Sequence, residues 1–265
     1  MKHIARRYQI GVRLKLDRAQ EHFDCLDKKF RTFFTESNAY EVVAEVDPNG
    51  WKIARVKVNK MPPLTFGVIV GDIGHNLRSA LDQTIYGLAR RTIRDPSRTQ
   101  FPIYLDGHAY VAPRKDGRKS PREELLDGLT AGEKAIVDEY QPFQRGRSRN
   151  SDPLALLAWL TNTDKHKLVH PAYSRAASQN LAFTEVVPGT IDHIEMRVAT
   201  GRAVRNGTEL HRLRAWPDPK AKVKMEGNVA IYPTFGERRL RLDDVALIRA
   251  RVLEIVGRLG VAYPA

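Results

Sequence analysis

The stretch Thr65–Arg94, TFGVIVGDIGHNLRSALDQTIYGLARRTIR, constrains the fold more than any other part of the chain. Ile69, Ile73, Leu77, Ala80, Leu81, Thr84 and Leu88 recur at three and four residues, so a helix places them on one face. His75, Arg78 and Asp82 keep the same spacing, and at about 100° per residue they fall on the opposite stripe with Gly71. Such a helix could hold the centre of a domain or lie on its surface.

A second amphipathic helix is predicted over 12–34. Val12, Leu16, Ala19, Phe23, Leu26, Phe30 and Phe33 alternate four and three residues apart. That seam can pair with 65–94 of the same chain or with a second copy in a homodimer. The intrachain pairing is preferred because a receiving helix is at hand. His22 and Cys25 lie near the seam and are read as packed edge residues.

Between these helices, 40–47 alternates like a half-buried strand, Asp47-Pro-Asn-Gly50 has turn chemistry, and 51–58 returns as a second strand. Gln100–Leu105 reads as extended. Residues 107–122 and 144–150 read as basic surface loops. Short helices are expected near 121–128 and 131–140. A further helix, 153–163, starts at the N-cap Asp152 and turns Leu154, Leu157 and Leu160 inward. From 175 to 235 the period changes to two. Segments 181–187, 191–198, 208–214, 221–225 and 228–233 suggest an antiparallel meander, and 243–259 closes the chain as a helix with Val245, Ile248, Val252, Ile255 and Leu259 inside.

The expected fold class is therefore α+β. It has a helical core of four main helices, an antiparallel sheet from the C-terminal third and a small N-terminal hairpin. All 265 residues are read as one domain, with sub-regions 1–170, 175–235 and 243–260. No run approaches the roughly 18 apolar residues of a membrane span, and the N-terminus lacks an apolar secretory core. Cys25 is the only cysteine, which excludes an intramolecular disulfide and a cysteine zinc cluster. A cytoplasmic setting is expected.

The strongest global signal is charge: 44 Lys+Arg against 31 Asp+Glu, a net +13. A field of that sign draws in RNA or DNA by counterion release. Arg114, Lys115, Arg118, Lys119, Arg145, Arg147 and Arg149 in the two basic loops are the candidate polyanion contacts. Two clusters carry candidate chemistry. In the first, His75 can titrate near neutrality, Arg78 is a fixed cation and Asp82 can orient either. In the second, Asn162-Thr-Asp-Lys-His166, Asp164 and His166 could act as an acid–base pair or hold a divalent metal, and Lys165 could neutralise a phosphate. The blander readings are a solvated helix face and a helix terminus whose His and Lys complement the dipole.

GDIGHNLRSALDQTIYGLA, then FPI, QPF and PLALLAWLTNTDKHKLV, resembles a family of bacterial and phage proteins with no established activity. Its pattern is a Gly-Asp, then HNLRSALDH, FPI, QP and a downstream DKH. The resemblance covers residues 12 to 170 and puts Gly71, Asp72, His75, Asn76, Arg78, Asp82, Asp164, Lys165 and His166 at its motif positions. This chain has Gln83 where that pattern has His, which would weaken a reaction depending on that His. A looser similarity is to helical ribonucleases of the HEPN type. Arg205-Asn-Gly-Thr-Glu-Leu-His211 matches their Arg-polar-His string but falls in a turn-and-strand region, and His75 with Arg78 has the residue types in reversed order.

Two functions follow as expectations. One is binding of nucleic acid or a nucleotide, extending to phosphodiester hydrolysis by His75, Arg78, Asp82, Asp164, Lys165 and His166. The alternative is a non-catalytic interaction or structural module of a phage or mobile element.

Overall fold

The computed structural model describes residues 6–114, 117–166, 172–185, 191–198, 200–217 and 223–261, with side chains described at 6–114, 117–162, 195, 203–214 and 234–261. Among these the fold is α+β, with seven α-helices and seven strands. Internal contacts divide the chain into two units: 1–26, 67–170 and 242–265 in the first; 27–66 and 171–241 in the second.

The first unit is helical. Helix α1 (Arg6–Thr35) gives it its first part, and α2 (Thr65–Ala89) is its most enclosed element. Most of the α1 seam is buried as its spacing predicts, Val12, Leu16, Ala19 and Leu26 among them, while Phe23 is half-buried. The two helices meet within the chain: Tyr8 packs on Tyr86 with ring centroids 5.7 Å apart, and Lys15 Nζ donates to Asn76 Oδ1 at 3.3 Å. On α2, Val70, Ile73, Leu77, Leu81, Ile85 and Leu88 are buried, and so are Gly71, on the stripe read as polar, and Gly74. That stripe is therefore not a solvated face over its whole length.

Helix α2 ends at Ala89, five residues before the expected Arg94. No Gly or Pro stops it. Instead Arg91 Nε donates to the Leu88 carbonyl at 2.8 Å and Thr92 Oγ1 to that of Ala89 at 3.2 Å, satisfying the last carbonyls outside the helix. The expected loop 107–122 contains a short helix, α3 (Gly107–Val111), capped by Asp106, and the expected loop 144–150 lies in a 3₁₀ helix, Pro142–Ser151, kinked at Gly146. Helices α4 (Pro121–Leu125) and α5 (Ala131–Glu139) both start in capping boxes, from Ser120–Glu123 and Thr130–Glu133. Helix α6 (Pro153–His166) and α7 (Leu242–Arg258) bury the inner faces expected of them, Leu154, Leu157 and Leu160 on one, Val245, Ile248, Val252 and Ile255 on the other.

The second unit holds two antiparallel sheets and not a simple meander. One has the order β1-β2-β6-β4: Tyr40–Val46, Lys52–Val58, Thr208–Pro217 and Ile191–Val198. The N-terminal hairpin is thus half of a larger sheet. The other has the order β5-β3-β7: Thr200–Ala203, Ala172–Glu185 and Val223–Phe235. The segments expected at 221–225 and 228–233 are one strand, and 181–187 begins at Ala172. Strand β1 also departs from its half-buried expectation, because Glu41–Val46 is exposed on both faces. The end of α1 anchors this unit through aromatic rings: Phe30 meets Phe66 edge-on at 4.7 Å and stacks on Phe235 at 5.4 Å.

Candidate functional site

The site begins with an absent side chain. A Cβ on Gly74 would stand 2.6 Å from Leu160 Cδ2, so glycine lets α2 and α6 approach closely. One turn along α2 from that contact, Arg78 and Asp82 line a recess of about 290 Å³ with Phe101, Tyr104, Thr161 and Asn162. Two residues of the first polar cluster and one from the start of the second thus share a cavity.

Its wall is fixed by hydrogen bonds. Arg78 Nε donates to Asp82 Oδ2 at 3.0 Å, and Arg78 Nη2 to the Phe101 carbonyl at 2.7 Å. Asp82 Oδ1 accepts the Phe101 N–H at 3.0 Å. Gln141, fully buried, holds the other edge of the same extended segment: its Nε2 donates to the carbonyls of Pro102 at 2.9 Å and Val137 at 3.1 Å, and its Oε1 accepts the Tyr104 N–H at 3.1 Å. The FPI and QPF strings are thereby one clamp on residues 101–104. Burial pushes the Tyr104 phenol up, with Arg114 partly opposing it.

The remaining sequence candidates are placed unevenly. His75 is exposed and is not among the residues lining the recess. Asn76 is buried and faces α1, accepting from Lys15 while its Nδ2 donates to the Asp72 carbonyl at 2.8 Å. Gln83 also faces α1, with Oε1 2.9 Å from where a Cβ on Gly11 would sit. The departure at position 83 therefore falls on a helix contact. Helix α6 carries through Asp164, Lys165 and His166, whose side chains lie outside the described residues. The Arg205–His211 string spans a turn and β6, with His211 buried.

Much of the basic-loop charge is paired. Arg114 lies 2.8 Å from Glu124, Lys119 lies 3.7 Å from Asp127, and Arg145 lies 3.5 Å from Asp152. Arg149 Nη1 donates to the Leu105 carbonyl at 3.3 Å. Arg118 and Lys119 line a second recess, of about 560 Å³, which also contains Asp95, Glu124 and Asp127. Arg147 is exposed, and Lys115 lies outside the described residues. Such mixed charge does not single out this recess as an anion site.

Sequence reasoning gave no role to three polar assemblies, although it singled out Gln141 within the QPF string. Gln141 carries no charge signal. Arg91 pairs with the buried Glu133 at 2.7 Å; burial alone would raise the Glu133 carboxyl, but the guanidinium and the Thr130 cap hold it below its usual range. Asp138 accepts from both Arg122 at 2.6 Å and Tyr110 at 2.8 Å. Among the described residues no group of three or more His, Cys, Asp or Glu is placed to hold a metal ion, and no helix is long and apolar enough to cross a membrane.

No protein-family model matches the chain, and comparison with curated proteins and with solved structures gives no match.

Proposed function

We propose that the protein binds a phosphate-bearing polyanion, RNA, DNA or a nucleotide, in the recess between α2 and α6. The observation that carries this reading is Arg78. Among the described residues it engages two of its five N–H groups, one on Asp82 and one on Phe101, and Arg78 and Asn162 both line the recess. A guanidinium held on two sides presents its remaining donors in a fixed fork, which suits phosphate oxygens. Lys165 and His166 follow Asn162 by three and four residues, and the net charge of +13 supplies long-range attraction.

On this reading Arg78 binds and Asp82 positions it. Any phosphodiester hydrolysis rests with Asp164, Lys165 and His166, because Asp82 is committed to the Phe101 backbone and His75 is exposed. The order of the motifs supports grouping the chain with the bacterial and phage family it resembles. A second reading has an observation of its own. Both Arg78 and Asp82 spend hydrogen bonds on holding residue 101, as a purely structural network would, and the protein is then a non-catalytic interaction module.

A filter-binding titration with generic RNA and DNA separates the two. Affinity that falls linearly on a log–log salt plot, and weakens further in Asn162→Ala, supports polyanion binding in the recess. Binding that is absent at low salt removes it in favour of the interaction module.

A further inference from the structure

The four-stranded sheet treats its two edges differently. Strand β4 carries Asp192, Glu195 and Arg197, and its pairing with β6 shifts register between Ile191 and His193. Charges and irregularities of this kind discourage a further strand from adding. The other sheet ends in the four-residue β5 and in β7, which contains Pro233. Strand β1 has no register shift, no proline and no cation, and its two charges, Glu41 and Glu45, are each paired with a cation of β2. Its seven pairs with β2 run without interruption, its sequence YEVVAEV has no Lys or Pro, and Val42, Val43 and Val46 are 48%, 40% and 66% exposed.

The open side of β1 can be assigned residue by residue. Asp47 N donates to Trp51 O at 2.9 Å and Ala39 O accepts from Asn59 N at 2.8 Å, so the odd-numbered backbone groups face β2. By alternation Val42, Ala44 and Val46 direct their N–H and C=O groups to the open side. Val42 and Ala44 stand beside Val56 and Ala54, both buried, so they extend the core-facing side of the sheet past its edge.

We infer that β1 is a self-association edge, on which a second copy of this chain adds its own β1 antiparallel about a twofold axis at Ala44. That register sets Val42 opposite the partner's Val46 and Ala44 opposite the partner's Ala44, giving a continuous apolar strip and about six inter-copy hydrogen bonds. Charge does not choose the axis, since this register sets Glu41 against the partner's Asp47 and centring on Val43 would set Glu41 against the partner's Glu45. Ala44 is chosen because its own N–H and C=O point to the open side and meet their copies directly. Charge does select the strand. Two copies at +13 repel over most of their surface, whereas β1 has no cation and its two carboxylates are matched within the chain, Glu41 by Lys57 at 3.1 Å and Glu45 by Arg55 at 2.5 Å. The α1 seam offers no equivalent surface, since Val12, Leu16, Ala19 and Leu26 are already buried within the chain.

The test uses the full-length chain. Sedimentation velocity from low micromolar to several hundred micromolar protein should show a monomer giving way to a dimer. Ala44→Pro removes only an outward N–H, so it should stay folded by circular dichroism and sediment as a monomer throughout. In a Cys25→Ser background, Ala44→Cys should form a disulfide dimer under mild oxidation, because opposed residues at about 5.5 Å lie within the bonding range. Val43→Cys should cross-link far less. A parent that stays monomeric at every concentration, a dimer that survives Ala44→Pro, or cross-linking that favours position 43 overturns the inference.

Discussion

Asp82 accepts the backbone N–H of Phe101 at 3.0 Å, joining the middle of α2 to an extended segment nineteen residues later. Arg78 completes the link by donating to the Phe101 carbonyl at 2.7 Å and to Asp82 at 3.0 Å. Both groups of one peptide residue are satisfied by a charged pair that propensity alone would leave to solvent. Asp82→Ala should therefore destabilise the fold by about 2 kcal/mol, more than the few tenths typical of a surface i,i+4 pair. Asp82→Asn keeps an oxygen for the Phe101 N–H and should recover about half of that loss. Urea unfolding midpoints at constant slope measure both; an Asp82→Ala midpoint equal to the parent's would reduce the pair to a surface contact.

Gln141 gives the same segment its other anchor. It is fully buried, and its side chain serves Pro102, Val137 and Tyr104 together. Gln141→Leu has similar volume but leaves these backbone groups without a partner, at an expected cost of about 3 kcal/mol. Chemical denaturation is the measurement, and a change below about 0.5 kcal/mol would mean the segment finds other partners.

His75→Ala makes the opposite expectation. The residue is exposed, so its loss should shift stability by no more than about 0.5 kcal/mol. Its effect on polyanion affinity should also be smaller than that of Asn162→Ala, which lines the recess. Parallel thermal melts and filter binding report the two, and a larger binding loss at His75 would move the site out of the recess.

What the sequence shows of this architecture follows from the range over which each signal acts. The buried faces of α1, α6 and α7 are legible because burial along one helix has the period of the helix, and Val12, Leu16, Ala19 and Leu26 obey it. Period two likewise marks β2 and β6 as strands. It cannot say that they are neighbours, since Ala54 and His211 are brought together from far apart in the chain. The clamp is hidden for a related reason. The partners of Asp82 and Gln141 are backbone groups, and backbone groups leave no mark in a sequence. The polar stripe of α2 is visible in the sequence, but not that the close approach at Gly74 to Leu160 leaves Arg78 and Asp82 half-buried in a recess and His75 exposed.

His211 gives the protein a pH dependence with a definite sign. Burial in β6 lowers its pKa, with Glu209 partly opposing the shift. The unfolded chain has the ordinary value near 6.5, so below about that pH it takes up a proton that the folded state resists. Stability should therefore be level above about pH 7 and decline as the pH falls toward 5. Denaturant midpoints over that range show the trend. His211→Leu should flatten it, and an equal slope in the variant would assign the effect to other groups.

The close approach of α2 to α6 can be tested as a coupling. Gly74 lies inside α2, where alanine would normally gain about 1 kcal/mol in helix propensity. Here the added methyl would stand 2.6 Å from Leu160 Cδ2 and 3.0 Å from its Cγ, and Leu160 is only 1% exposed, so it has little room to turn away. Overpacking of this kind costs about 1–3 kcal/mol, which reverses the propensity gain and leaves Gly74→Ala destabilised by about 1 kcal/mol. Leu160→Ala alone should cost about 2–4 kcal/mol through its cavity. The double variant fills part of that cavity with the new methyl, so its loss should be smaller than the two single losses combined by at least about 1 kcal/mol. Strict additivity would mean that the helices separate freely at this point, and the recess that Arg78 shares with Asn162 would then lose the contact that holds its walls together.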